Sequence, residues 1–378
     1  MDYRFSEEQS MLKDSLQGWL GRNYQFDQWR KLIARKPPHS DENWKSFADM
    51  GWLGIAMPEA HGGLGFGAVG QMIIGEAFGA HLVTEPYLSS VVLGGNLILK
   101  AGNEAQKAEW LARVTEGSAK LSFAFAEKQS RFSLSNVATR ARKTPAGYAI
   151  SGEKILVLDA PSADRLIVLA RTSGDVADKG GLSLFLVDPK SPGISLHTYS
   201  TIDDRQAADI VFDNAIAVAL IGSEGDAFPA VEAAADSAVA YLCAEGVGAM
   251  QALIDTTLAY VKVRRQFGQA IGDFQIIQHR IVDLRVQLEC SRAMTLYAAV
   301  SATADANERA RTASAAKVQV GRSARIVGRN AIQLHGGIGM TNELSVGHYF
   351  KRLLMVETML GDIDFHQKRF AGLPSELV

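Results

Sequence analysis

Leu121-Ser122-Phe123-Ala124-Phe125-Ala126 is the stretch at which this sequence changes its period. Upstream, apolar residues return every three or four positions through Trp44 to Met50, Val69 to Gly79, Leu88 to Lys100 and Glu104 to Thr115, the spacing of one helix face. The start of the chain agrees: Ser6 followed by Gln9 is a capping-box pattern, with Phe5 before it and Met11 and Leu12 after it as apolar flanks. From residue 121 the apolar runs become short: Tyr148 to Ser151, Ile155 to Leu158, Leu166 to Ala170, Leu182 to Val187, Ile194 to Leu196 and Ala208 to Phe212. Gly, Pro, Asp and Ser punctuate them, as in an antiparallel sheet. After Gly225 the helical period returns in long Ala-rich segments and persists to Phe370. Helices, sheet, helices in that order predict an α+β fold with an N-terminal helical domain over 1–118, a middle antiparallel β domain over 119–224 and a C-terminal helical bundle over 225–378. A doubly wound parallel sheet would need strands and helices to interleave one by one.

Composition removes several function classes. The 378 residues carry 39 Lys plus Arg against 41 Asp plus Glu, a formal charge of −2, so no basic excess is present to hold a nucleic acid or an anionic membrane. Cys243 and Cys290 lie in apolar helical segments, far from any CxxC or Cys/His cluster, and are expected as small core residues. The N-terminus is acidic and amphipathic, unlike a signal peptide, and Ala233 to Met250 is interrupted by Asp236 and Glu245, so no membrane span is expected and the cytoplasm is the expected location. Gly65-Phe66-Gly67-Ala68-Val69-Gly70 matches G-x-G-x-x-G, with Glu85 about 20 residues on. What precedes it, Met57-Pro58-Glu59-Ala60-His61-Gly62-Gly63, is a turn instead of a buried strand, so it reads as an inter-helix loop.

Two stretches carry chemistry. In Tyr260-Val261-Lys262-Val263-Arg264-Arg265-Gln266-Phe267-Gly268 a periodic helix ends in two arginines, an aromatic and a glycine, and a second helix starts with Gln275 and Gln278 on one face. An arginine at such a junction can grip a pyrophosphate by its forked donors while the ring packs on a heterocycle. The same residues also suit a helix C-terminus favoured by its dipole. In Gln333-Leu334-His335-Gly336-Gly337-Ile338-Gly339 the glycines let backbone amides approach a ligand, although a helix C-cap reads alike. One cationic and one glycine-rich element in the same helical third point to a phosphate-bearing cofactor.

With Arg264 to Gly268, Phe274-Gln275, Gln333 to Gly339 and the loop Met57 to Gly65, the chain resembles the acyl-CoA dehydrogenase family of flavoenzymes over essentially its whole length. Phe123 to Arg131, Cys243-Ala244-Glu245, His348 to Leu353 and Gly361-Asp362 are similar to the small subunit of bacterial two-component enzymes of the pimeloyl-CoA and steroid-CoA dehydrogenase type. The resemblance implies a C-terminal four-helix bundle, an FAD cofactor, a CoA-thioester substrate and α,β-desaturation. It also implies electron transfer to an electron-transfer flavoprotein, and a paralogous catalytic subunit in a heterotetramer. Arg264, Phe267, Gly268, Gln275, Gln278, Gln333, Gly336 and Gly337 take the places of cofactor-binding residues.

Departures from the family pattern are concentrated elsewhere. Its Thr-Glu-Pro-x-x-Gly-Ser-Asp segment reads Ala126-Glu127-Lys128-Gln129-Ser130-Arg131-Phe132-Ser133 here, and its flavin-facing Trp and Thr become Leu156 and Leu158. The two places where family members carry the catalytic base hold Thr358 and Ala238. Glu357, one residue before the first, and Glu245, two helical turns beyond the second, are the candidate bases. The leading expectation is a subunit that lends its pyrophosphate clamp to a flavin seated on another chain. A self-sufficient homo-oligomer and a redox-inactive acyl-CoA-binding scaffold remain as alternatives. Leu82 to Leu97, an apolar segment, is expected by position to line an acyl pocket.

Overall fold

The computed structural model describes residues 5–374. Helix α1 (Glu7–Asn23) opens on the capping box of Ser6 and Gln9 and buries Leu12, Leu16 and Leu20. It is followed by α2 (Phe26–Ile33), which the sequence reading missed, and α3 (Asp41–Asp49), whose N-cap is Ser40. Then come α4 (Gly67–Ala80), a π-helical stretch over Leu88–Gly95, α5 (Asn96–Ala101) and α6 (Glu104–Thr115). A short 3-10 turn precedes the glycine pattern at 65–70, and Gly67 already starts α4, so no strand leads into it.

The sheet runs from β1 (Leu121–Ala124) through β2 (Arg140–Thr144), β3 (Gly147–Leu158), β4 (Arg165–Arg171), β5 (Leu182–Val187), β6 (Ile194–Ser200) and β7 (Gln206–Ile216) to β8 (Ala219–Ile221). Its order is β6-β7-β3-β2-β4-β5-β8, with β1 pairing β4. The expected antiparallel sheet is in fact mixed, because β1 and β2 both run parallel to β4. β3 joins the two predicted runs 148–151 and 155–158 into one bulged strand. β2, reading Arg140-Ala141-Arg142-Lys143-Thr144, was missed because only Ala141 of its five residues is buried, so it has no apolar run to see. Every residue of β5 is buried, and with Ile150, Val168, Ala208 and Phe212 it forms the core of this layer. The edge strand β6 alternates half-buried with exposed residues.

The C-terminal helices are α7 (Phe228–Val263), α8 (Gln275–Val300), α9 (Ala306–His335), α10 (Ser345–Thr358) and α11 (Ile363–Gly372), with a small hairpin of β9 (Arg265–Gln266) and β10 (Gln269–Ala270) between α7 and α8. The fold divides by contacts into two units, residues 1–31, 68–83 and 239–378 in one and 32–67 with 84–238 in the other. Within the first, α4 lies backbone-to-backbone on α7. A Cβ on Gly79 would stand 1.9 Å from the Glu245 carbonyl oxygen, and one on Gly248 1.8 Å from that of Glu76, so only glycine permits this approach. Cys243 is buried as expected, but Cys290 is exposed, because its turn of α8 faces away from the helices packed on Leu284 and Leu288. α7 is long and apolar enough to cross a membrane by length and composition, with mean hydropathy 1.3, yet 78% of that window is buried within the protein.

Candidate functional site

The end of α7 is built to push an aromatic ring outward. β9 and β10 pair Gln266 with Gln269, leaving Phe267 and Gly268 as a two-residue turn with φ of +52° and +84°. Positive φ at both central positions is the type I′ hairpin turn, in which glycine is at ease and phenylalanine is strained. Phe267 is nevertheless 93% exposed. Arg265 donates to the Gly268 carbonyl at 3.0 Å, and the Ile271 amide to that of Arg264 at 2.8 Å, so the turn is held from both sides. The rings of Phe267 and Phe274 meet edge-on at 6.3 Å. Gln278 spends its amide on the Gly272 carbonyl at 3.1 Å, whereas Arg264, Gln275 and Gln333 are exposed and make no side-chain hydrogen bond among the described residues.

The glycine-rich element sits at the same end of the bundle. Tyr260, one turn before Arg264, stacks on His335 at 4.4 Å and donates to its carbonyl at 3.4 Å, pinning the last turn of α7 to the last turn of α9. The His335 ring is fixed in turn by the Ala331 carbonyl at 2.9 Å from Nδ1. Gly336 follows with φ +64° and ψ −145°, a conformation reserved for glycine, and a Cβ on Gly336 or Gly337 would meet nothing within 4 Å. Arg264, Phe267, Gly268, Gln333, Gly336 and Gly337 are thereby gathered on one exposed end, with Gln275 at the start of α8. An accessible guanidinium, an outward ring and unobstructed glycine backbone fit the pyrophosphate half of FAD.

The middle layer holds the positions that the resemblance assigns to the flavin ring. Glu127 is buried and accepts from Lys154 Nζ at 2.7 Å, from the Ala138 amide at 2.7 Å and from the Thr139 amide at 3.1 Å. Burial raises its carboxyl, but the Lys154 charge and hydrogen bond prevail and hold it below the ordinary range. Lys154 has no solvent exposure, and burial brings it down to about 8 against the pull of Glu127. Leu156, 41% exposed at φ +50°, gives its amide to Asp209 Oδ1 at 3.0 Å, and the Tyr199 hydroxyl donates to the same oxygen at 2.7 Å. Ala126, Phe132, Leu156 and Leu158, the positions at which the resemblance led us to expect flavin-ring contacts, carry no hydrogen-bonding side chain.

Both candidate bases are occupied. Glu357 is 4% exposed and makes a two-point contact with Arg325, Nε donating to Oε2 at 2.8 Å and a terminal nitrogen to Oε1. Glu245 is fully buried and accepts from Arg352 at 2.6 Å. Arg352 is 1% exposed and also donates to the Val83 carbonyl at 3.1 Å. A general base must close on a substrate proton. Taking up that proton would remove the charge that Glu245 sets against the buried Arg352, whereas the Arg325 that pairs with Glu357 is half-exposed and keeps access to water. Thr358 points outward, its hydroxyl spent on the Leu354 carbonyl at 3.0 Å.

Sequence reasoning missed Arg325, Arg352, Tyr260, His335 and Asp209. The partners within each contact are 32, 107, 75 and 53 residues apart, so no local spacing announces them. The one usable signal was Tyr260 a single turn before Arg264.

Three family profiles match in succession: acyl-CoA dehydrogenase N-terminal domain at residues 6–118, middle domain at 122–215 and C-terminal domain at 228–371. The acryloyl-CoA reductase (NADH) of Anaerotignum propionicum is 28% identical over 379 residues, covering 97% of this chain and 94% of that protein. Among solved structures, a variant of the Tcur3481–Tcur3483 steroid ACAD superposes with a TM-score of 0.87 at 26% identity, covering 97% of each chain. The FAD complex of PigA superposes with a TM-score of 0.89, also at 26% identity, covering 98% of each. With its helical, sheet and helical thirds each matched in order, the chain belongs to the acyl-CoA dehydrogenase family of FAD-dependent oxidoreductases.

Proposed function

We propose that this chain is the subunit of a flavin-dependent acyl-CoA dehydrogenase that supplies the pyrophosphate clamp to an FAD seated on a paralogous, base-bearing partner. The observation that carries this reading is the contrast between an exposed, uncommitted clamp at Arg264, Phe267 and Gly336 and two glutamates bound to Arg325 and Arg352. Arg264 holds phosphate oxygens by its fork, Phe267 covers a heterocycle face, and Gly336 and Gly337 let backbone amides reach the cofactor. FAD, when bound, supplies the hydride acceptor for desaturation of the thioester. Glu357 ties α10 to α9 through Arg325, Glu245 ties α7 to α10 through Arg352, and the partner brings the carboxylate that removes the α-proton. An electron-transfer flavoprotein reoxidises the assembly.

The steroid ACAD among the structural neighbours, designated by the pair Tcur3481–Tcur3483, supports a heteromer and a bulky acyl group on the CoA thioester. The direct test is flavin content per chain, measured by visible absorption on this chain alone and after co-expression with a paralogue of similar length. Fewer flavins than chains, bound only in the co-expressed complex, is the expected result. Stoichiometric flavin on this chain by itself, with oxidation of an acyl-CoA, overturns the proposal in favour of a self-sufficient enzyme.

A further inference from the structure

A cavity of about 290 Å³ lies within the unit formed by 1–31, 68–83 and 239–378, walled by α1, α4, α7 and α8 and separate from the clamp residues. Its floor is apolar, with Ile73, Ala77 and Ala80 on one face of α4. Two charged groups of opposite sign open into it from different helices: Lys13 of α1 and Glu76 of α4. Neither makes a hydrogen bond through its side chain among the described residues. The nearest cation to Glu76 is Arg292 Nε at 3.8 Å, beyond hydrogen-bond range. The terminal nitrogens of Arg292 donate to both carboxylate oxygens of Glu289 at 3.0 and 2.9 Å and to Gln251 at 3.2 Å, leaving Nε turned toward Glu76. Lys13 is exposed to solvent and stands 5.7 Å from the centre of the Phe5 ring.

His81, the remaining titratable group on the wall, is held low by burial, so it adds no charge at neutral pH. Burial raises the Glu76 carboxyl while Arg292 and Lys13 pull it down, the balance expected of a carboxylate with incomplete compensation. Gln17, one turn beyond Lys13 on the same helix face, adds an amide with both donor and acceptor. The space amounts to about ten water volumes, enough for a small organic molecule and too little for an acyl-CoA.

We propose that this cavity binds a small aliphatic amino acid, its ammonium on Glu76, its carboxylate on Lys13 and its side chain over Ile73, Ala77 and Ala80. A zwitterion would meet both charges at once and give Glu76 the direct hydrogen bond that Arg292, at 3.8 Å, does not. A simple carboxylate would face Glu76, and a simple alkylamine would face Lys13, each with like charge.

The experiment is isothermal titration of the purified full chain at pH 7 with L-leucine, isocaproate and isopentylamine in parallel. Saturable binding of leucine, at least tenfold tighter than either monopolar analogue, is expected. E76Q keeps the shape of the wall and removes the ammonium partner, and K13M removes the carboxylate partner from another helix. Each is expected to weaken leucine at least tenfold while leaving the melting temperature and the flavin content of the co-expressed complex unchanged. Equal binding of isocaproate and leucine, binding unaffected by both substitutions, or no heat with leucine at millimolar concentration overturns the assignment.

Discussion

Arg352→Met removes one half of a pair that the fold has sealed off: Glu245 is fully buried, Arg352 is 1% exposed, and they meet at 2.6 Å. The remaining carboxylate would be left without its guanidinium, and the Val83 carbonyl would lose a donor at 3.1 Å. Breaking a buried pair in this way costs about 3–5 kcal/mol. For a cooperative unit of 150–250 residues that corresponds to a melting temperature lower by roughly 10 °C. Replacing both members, as Glu245→Leu with Arg352→Met, removes the stranded charge, and stability is expected to return to within about 1–2 kcal/mol of the parent. Urea unfolding followed by far-ultraviolet circular dichroism on the two single variants and the double variant gives the coupling directly. Glu245→Gln, which keeps a hydrogen bond but not the charge, should lose about 1.5–3 kcal/mol and retain turnover once folded complex is counted. The reasoning fails if Arg352→Met is as stable as the parent. It also fails if Glu245→Gln leaves stability intact while turnover of the assembled enzyme drops a thousandfold, the behaviour of a catalytic base.

Arg264→Ala should release flavin from the co-expressed complex, weakening retention at least tenfold on a desalting column, with unfolding unchanged because the side chain is exposed. Lys154→Met, which strands buried Glu127 in the sheet, should cost about 3–5 kcal/mol in denaturant unfolding. Acid should destabilise the protein before its carboxylates are protonated. His39 is lowered to about 4 by burial and by Lys120, and His366 to about 3 by burial and by Lys317. The unfolded chain takes up protons at these positions near pH 6.5, so stability is full above that value and falls as pH drops toward 4, by on the order of 3 kcal/mol per histidine. Thermal unfolding between pH 7 and pH 4.5 reads this slope, and His366→Asn should flatten it.

The order of helices, sheet and helices was legible because each period is a local property. Ser6 and Gln9 cap α1 within four residues, and Leu182 to Val187 is apolar throughout. The mixed character of the sheet was not legible. Whether β1 and β2 run parallel to β4 depends on where chain segments return after dozens of residues, and Arg140 to Thr144 carries no alternation that marks it as a strand. The clamp was visible as residue types, but its assembly depends on Tyr260 stacking against His335, 75 residues away.

Glu357 and Glu245 show the same division most sharply. Their place near the expected base positions is a matter of counting along helices, and the sequence determined it together with the fold class, the cofactor family and the absence of hydrogen-bonding side chains at 126, 132, 156 and 158. What each carboxylate does was decided only by tertiary structure, which brought Arg325 and Arg352 within hydrogen-bond reach. Periodicity and motif spacing are encoded between near neighbours, whereas the free or paired state of a buried charge depends on every group that folding packs around it.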